Sequence, residues 1–298
     1  MFAHYRHRFA AMTTACEIQF YGLQEAQAIH VAQCIRQAVY GLVERYNFHA
    51  VDSWLSRAVN GRREWRVDLD EETRNILACV REHAEITEGV FDITVGTCAR
   101  ALRQANSHAE AHIIQQDAAP WMGLDRWWIE KDQLCFDNPH TQLDLGGVIK
   151  EYAVDLARQI ALREGVTQGL INFGGDLAAI GCKPDGQRFV AAVPDPTHPE
   201  KMLFALDLEN QALTTSGHYA RQRRFADGSV SHIIGDKRSN QNAATQWLSA
   251  SVVSSQTLVS GIYSTALLIN PDVRLPADIT AVTVDRDRRV HALQTGCA

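Results

Sequence analysis

The chain has 298 residues, 46% of them hydrophobic and 21% charged, with a formal net charge of −6. That composition is ordinary for a globular protein and leaves enough apolar residues for a sizeable core. It excludes a general nucleic-acid-binding role, because no basic stripe is present to displace counterions from phosphates.

At the N-terminus no apolar run reaches signal-peptide length, and nowhere does the chain approach the roughly 18 apolar residues of a membrane span. No membrane segment is predicted, and the cytoplasm is the favoured location, the periplasm remaining open to a chain whose leader has been trimmed. Seven cysteines (Cys16, Cys34, Cys79, Cys98, Cys135, Cys182 and Cys297) are scattered without CxxC pairing or a histidine at zinc-site spacing. They read as buried thiols of a reducing compartment.

Residues 8–22 read as a strand. Residues 26–46 read as a helix, because Ile35, Ala38, Val39, Leu42, Val43 and Tyr46 recur at helical spacing. A second helix is predicted over 71–87, with Ile76, Leu77, Val80 and Ala84 inward and Gly89 stopping it. The segment 143–155, LDLGGVIKEYAVD, enters a helix whose apolar face is Ile149, Tyr152, Ala153, Leu156 and Ile160, with Gly165 at its end. Residues 170–173 then form a strand that Gly174-Gly175-Asp176 turns into 177–180.

The C-terminal half predicts strands at 189–193, 202–208, 230–234, 248–254, 279–284 and 289–293, with one helix over 258–269 carrying Val259, Ile262, Tyr263, Ala266 and Leu267 on its apolar face. Residues 185–201 and 236–246 read as loops. Helices and strands mix without βαβ alternation, which predicts an α+β fold. No repeat or convincing linker divides residues 1–298.

Two Gly-Gly pairs, each beside an acidic residue, are the strongest chemical signal. Consecutive glycines permit positive φ and close backbone approach, so that N–H groups converge on phosphate oxygens, and a helix beginning there adds its positive end. A tight turn explains an isolated pair equally well. Neither GxGxxG nor GxxxxGK[ST] occurs, so the Rossmann and Walker arrangements are excluded.

In order along the chain, AMTTACEI (residues 11–18), SWLSRAVN (53–60), FDITVG (91–96), LDLGGVIKEYAVD (143–155), INFGGD (171–176), TTSGHY (214–219) and SHII (231–234) resemble the motifs of the FAD:protein FMN transferases, the ApbE family. The resemblance covers nearly the whole chain and implies a T-fold-related α+β domain over 1–298, its helices and mostly antiparallel sheets set around a flavin-nucleotide cleft. It implies FAD as substrate, a Mg²⁺ ion on the pyrophosphate, and transfer of FMN to a Thr or Ser hydroxyl of a partner flavoprotein with release of AMP.

Residue by residue, the resemblance implies that Met12, Asp144, Gly146, Gly147, Lys150, Asp176, Thr215, Ser216, Gly217 and Tyr219 contact the flavin nucleotide. The Gly147 carbonyl and Thr265 would hold metal, and His232 would be catalytic. Without the resemblance, Met12 reads as core, Lys150 as a solvated helix-terminal lysine, Asp176 as a turn cap and His232 as a strand histidine.

Two departures stand out. SHIIGDKRSNQ places Gly235 where the family usually has the aspartate of an Asp-Pro-Arg-Thr-Gly turn, with Asp236 one residue beyond. The family helix usually carries Asp-x-x-x-Thr, a carboxylate and a hydroxyl one turn apart, where this chain has Gly261 and Thr265. Metal should then depend heavily on the FAD phosphates. A branch of the family shares the CE after the opening strand, KEYAVD in place of KGYAVD, and the missing helix aspartate. Two alternatives follow: a flavin-binding protein that has lost the transfer chemistry, or a FAD pyrophosphatase.

Overall fold

A computed structural model describes residues 3–217, 222–224, 230–232 and 246–293, the backbone alone for 222–224 and 230–232. Its main sheet begins with a hairpin: β1 (His4–Ala11) and β2 (Thr14–Tyr21) pair antiparallel from end to end, closing at Ala11 against Thr14. The single strand expected over 8–22 is therefore broken, at Met12 and Thr13, whose φ values are 51° and 58°. Two successive left-handed residues suit the twist of a tight hairpin. The turn is hidden in the sequence because neither residue is Gly, Asn or Asp.

Helix α1 (Glu25–Tyr46) follows, burying Ala28, Val31, Ala32, Ile35, Val39, Leu42 and Tyr46 on one stripe. A π-helical segment (Leu55–Asn60) leads to β3 (Arg66–Asp68) and α2 (Glu71–Ile86), which Thr87 and a left-handed Gly89 end. Helices α3 (Gly96–Leu102) and α4 (His108–Ala118), and strands β4 (Trp127–Glu130) and β5 (Gln133–Phe136), have no counterpart in the sequence reading. Their strands are four residues or fewer, and α4 buries only Ala111 and Ala118, so neither period has room to declare itself.

Next come α5 (Ile149–Arg163), β6 (Gly169–Phe173), β7 (Asp176–Ile180), β8 (Phe189–Asp195), β9 (His198–Leu208), β10 (Ala212–Gly217), β11 (Gln222–Arg224), β12 (Val230–His232), β13 (Trp247–Ser254), α6 (Thr257–Ile269), β14 (Thr280–Asp285) and β15 (Val290–Leu293). Most of the loop expected at 185–201 is strand. The Asp195 carboxylate accepts from the Thr197 N–H at 2.8 Å and its hydroxyl at 2.7 Å, which closes a short turn between β8 and β9.

Among the described residues the main sheet has the order β1-β2-β6-β7-β10-β13-β14-β15, antiparallel throughout, with smaller sheets β3-β5-β4, β8-β9 and β11-β12. One face of the sheet packs on α1, α5 and α6. On the other, Leu177, Ala179 and Leu213 meet Phe189, Ala191, Val193 and Leu208 of the β8–β9 hairpin. Helices and antiparallel sheets are thus combined in the α+β manner expected. No helix is long and apolar enough to cross a membrane among the described residues.

Asp155 couples the two helices that frame the site. Buried on α5, its carboxylate accepts the N–H groups of Thr257 at 2.7 Å and Leu258 at 2.8 Å, capping α6 from outside that helix. Those N–H groups have no intrahelical acceptor, and the helix dipole favours an acid there. Asp155→Ala strands both donors and removes the cap; it should cost about 2–4 kcal/mol in urea denaturation. A loss under 1 kcal/mol would show that α6 needs no such anchor.

Candidate functional site

Three motifs first build a platform. The Asn60 side chain donates to Leu143 O at 2.9 Å and accepts from Leu143 N at 2.8 Å, as a neighbouring strand would. Asp144 N donates to Ile93 O at 2.8 Å. At Gly96 a Cβ would lie 2.6 to 2.8 Å from the backbone of 142–144, so only glycine permits this approach. SWLSRAVN and FDITVG therefore hold the loop that leads into α5.

That loop carries Asp144, Gly146 and Gly147. Asp144 Oδ1 accepts from Gly146 N at 2.8 Å, a local turn. Neither Gly146 nor Gly147 has the positive φ their pairing suggested. What Gly147 provides is space: a Cβ there would meet only the Phe91 ring, at 4.0 Å. In the second pair both glycines are left-handed, Gly174 at 65° and Gly175 at 99°. A Cβ on Gly174 would also collide with the Thr14 side chain.

This contact puts the β1–β2 turn and the β6–β7 turn at one end of the main sheet. Met12 lies there, half-buried and packed on the main core. An open depression of about 410 Å³ borders the same turn and is lined by Phe9, Ala10, Ala11, Thr13, Thr14 and Ala15. It holds no charged group; the charge lies next to it, on α5 and β7. Burial pushes the Cys16 thiol up to about 11, so this cysteine of the same sheet end stays protonated at neutral pH.

Lys150 and Glu151 occupy the first turn of α5, and Asp176 starts β7. The Lys150 ammonium pairs with the Asp176 carboxylate and stands 3.2 Å from Glu151 Oε1. Side-chain exposure is 19% for Lys150, 7% for Glu151 and 3% for Asp176, so this is no solvated lysine. A cation fixed in this way is held at the start of a helix, where anions are also favoured.

Strand alternation divides the hydroxyl motif. Thr214 Oγ1 reaches Thr257 O at 3.4 Å, and Ser216 Oγ lies 2.8 Å from Ser264 Oγ and 3.3 Å from Thr265 Oγ1, all on the α6 side. Thr215 points to the opposite face, 2.8 Å from Ser251 Oγ. Ser216 and Thr265 are thus brought together, and Thr215 is not with them. Helix α6 is buried at every position but one, and that one is Thr265. Its hydroxyl faces Ser216, one residue from the end of β10.

Gly217 ends β10. His232 is placed by its backbone, opposite Gln222 in the β11–β12 pair. Tyr219, the end of the predicted strand at 233–234, Gly235, Asp236, the predicted loop up to residue 245 and Cys297 lie outside the described residues. The six described cysteines are free thiols. Residues absent from the sequence-derived set are Asn60, Ser264 and Glu151. Asn60 left a signal as the last residue of SWLSRAVN, and Glu151 as the residue that turns KGYAVD into KEYAVD.

The ApbE family model matches residues 12–281. A FAD:protein FMN transferase of Salmonella typhimurium is 26% identical over 227 residues, 73% of this chain and 65% of that protein. One of Klebsiella pneumoniae is 24% identical over 274 residues, covering 87% and 84%. The ApbE protein of Thermotoga maritima superposes with a TM-score of 0.85 at 24% identity, covering 97% of both chains, a likeness of fold. The chain spans 54% to 65% of the length of the first curated relatives it matches.

Proposed function

The chain belongs to the ApbE family, and we propose that it transfers FMN from FAD to a Thr or Ser hydroxyl of a partner flavoprotein, releasing AMP. The observation that carries this reading is the buried Lys150–Asp176 pair at the mouth of α5, beside the open backbone of Gly147. A lysine and a helix N-terminus on one side, with space for phosphate between, suit a pyrophosphate that arrives with a divalent cation to offset the two acids on the lysine.

In this reading the pyrophosphate rests along Gly146 and Gly147, and Lys150, steered by Asp176, neutralises charge on its oxygens. Met12 and Ser216 border the nucleotide. Thr265 and the Gly147 carbonyl are oxygen donors suited to Mg²⁺, which when bound offsets the charge that develops on the phosphates. The acceptor hydroxyl oxygen bonds to the FMN phosphorus, the bond to the AMP phosphate breaks, and AMP leaves with that electron pair. His232 takes the hydroxyl proton.

The experiment combines the protein with FAD, Mg²⁺ and an acceptor flavoprotein carrying the threonine, and follows in-gel flavin fluorescence together with AMP. Stoichiometric fluorescence on the acceptor and equal AMP is the expected result. FMN and AMP without labelled acceptor would make water the acceptor and the protein a FAD pyrophosphatase. FAD binding with neither product would leave a flavin-binding protein.

A further inference from the structure

Glycine at 261 leaves no empty space on α6. A Cβ built there would lie 2.6 Å from Cγ and 3.3 Å from Cδ of Glu151, a side chain that arrives from α5. Glu151 thus fills the volume that a residue at 261 would use, with its Cγ nearest to where that side chain would begin and its carboxyl carbon 3.3 Å from that point. Glu151 of KEYAVD and the missing aspartate at 261 are complementary: a large residue at 151 requires none at 261.

The carboxylate is incompletely satisfied. Oε1 faces Lys150 at 3.2 Å, but Lys150 also serves Asp176, so one cation meets two acids and the three side chains sum to a formal charge of −1. Oε2 has no hydrogen-bond partner among the described residues, although Glu151 is only 6% exposed. A buried carboxylate oxygen without a partner is unfavourable unless a positive charge meets it. Around it are hard oxygen donors: positions 261 and 265 are one helical turn apart on one face, so the carboxylate lies about a turn from the Thr265 hydroxyl, which Ser216 Oγ orients from 3.3 Å.

We propose that Glu151 is the carboxylate ligand of a divalent cation at this site, replacing from α5 the acid that α6 lacks and pairing with Thr265. The inference rests on the flavin-nucleotide reading above and supplies its metal anchor. A hard cation of the Mg²⁺ type takes oxygen ligands, commonly one or two carboxylates together with substrate phosphates. The metal is then anchored by the protein as well as by the nucleotide. Restoring an acid on α6 alone, as Gly261→Asp, would drive its Cβ into Glu151.

The test uses Mn²⁺ as an electron-spin probe on the whole protein, titrated with and without ADP, beside thermal unfolding and ADP affinity in EDTA. Glu151→Gln should weaken Mn²⁺ binding by at least about tenfold while unfolding temperature and metal-free ADP affinity hold. The exchanged pair Glu151→Gly with Gly261→Asp should recover most of the loss. Wild-type Mn²⁺ affinity in Glu151→Gln, no Mn²⁺ binding by the wild type, or no recovery in a folded double variant would each overturn the proposal. Should Glu151→Gln not fold, Glu151→Gly set against the double variant makes the same comparison. A wild type that fails to bind ADP defeats the flavin-nucleotide reading instead, and the titration without nucleotide still decides the role of Glu151.

Discussion

Under the proposed mechanism, His232→Ala should lower FMN transfer by about 10²- to 10⁴-fold, the usual contribution of a positioned acid or base. In the proposed mechanism the acceptor is a neutral hydroxyl, whose proton must leave as the oxygen bonds to phosphorus, and an imidazole is suited to accept it. The loss should fall on kcat, with FAD affinity nearly unchanged, because a proton acceptor stabilises the transition state and not the bound substrate. Single-turnover labelling of the acceptor, set beside FAD calorimetry, separates the two. A variant as active as wild type removes His232 from the mechanism and points to the changed turn beginning at Gly235. A variant that no longer folds gives His232 a structural role.

Gly147→Val should reduce FAD affinity by roughly 100-fold or more, about 2.7 kcal/mol at 25 °C. The protein itself has room for a Cβ here, which would meet only Phe91 at 4.0 Å, and φ at this position is not positive. Any loss therefore reports on what must approach from outside. Fluorescence titration with FAD measures the affinity, and circular dichroism confirms that the fold is kept. Unchanged FAD affinity would place the pyrophosphate elsewhere. The comparison is sharp because at Gly96, where a Cβ would lie 2.6 to 2.8 Å from the 142–144 backbone, substitution should instead cost the fold.

Much of the fold was legible from period alone. Helices α1, α2, α5 and α6 lie within a residue of their predicted bounds, because each buries one long apolar stripe or is apolar all round. The hairpin between β6 and β7 followed from Gly-Gly, which tolerates the left-handed turn. The β1–β2 turn did not, since Met12 and Thr13 bear that conformation against their own preference, held by eight paired positions on either side. The strands at 189–193 and 202–208 were read, but the loop drawn over 185–201 was too long, because Asp195, Pro196 and Thr197 signal a turn without saying how close to it the strands run.

For the site, residue types and order determined a good deal: two glycine motifs, a lysine one turn into a helix and a hydroxyl run, all collinear with one family. Only the tertiary structure decided which of them meet. The two-residue period of β10 sends Ser216 to Thr265 and Thr215 to the opposite face. Asp176, 26 residues beyond Lys150, becomes its partner because α5 crosses back over the sheet and returns the chain along β6. Glu151 and Gly261 are the plainest case: in the sequence they are two unrelated departures, an acid gained and an acid lost. Packing α5 on α6, with Asp155 clamping the start of α6, puts one into the space of the other. Local propensity sets the period of each element, but which side chains share a volume depends on how elements far apart in the chain are docked.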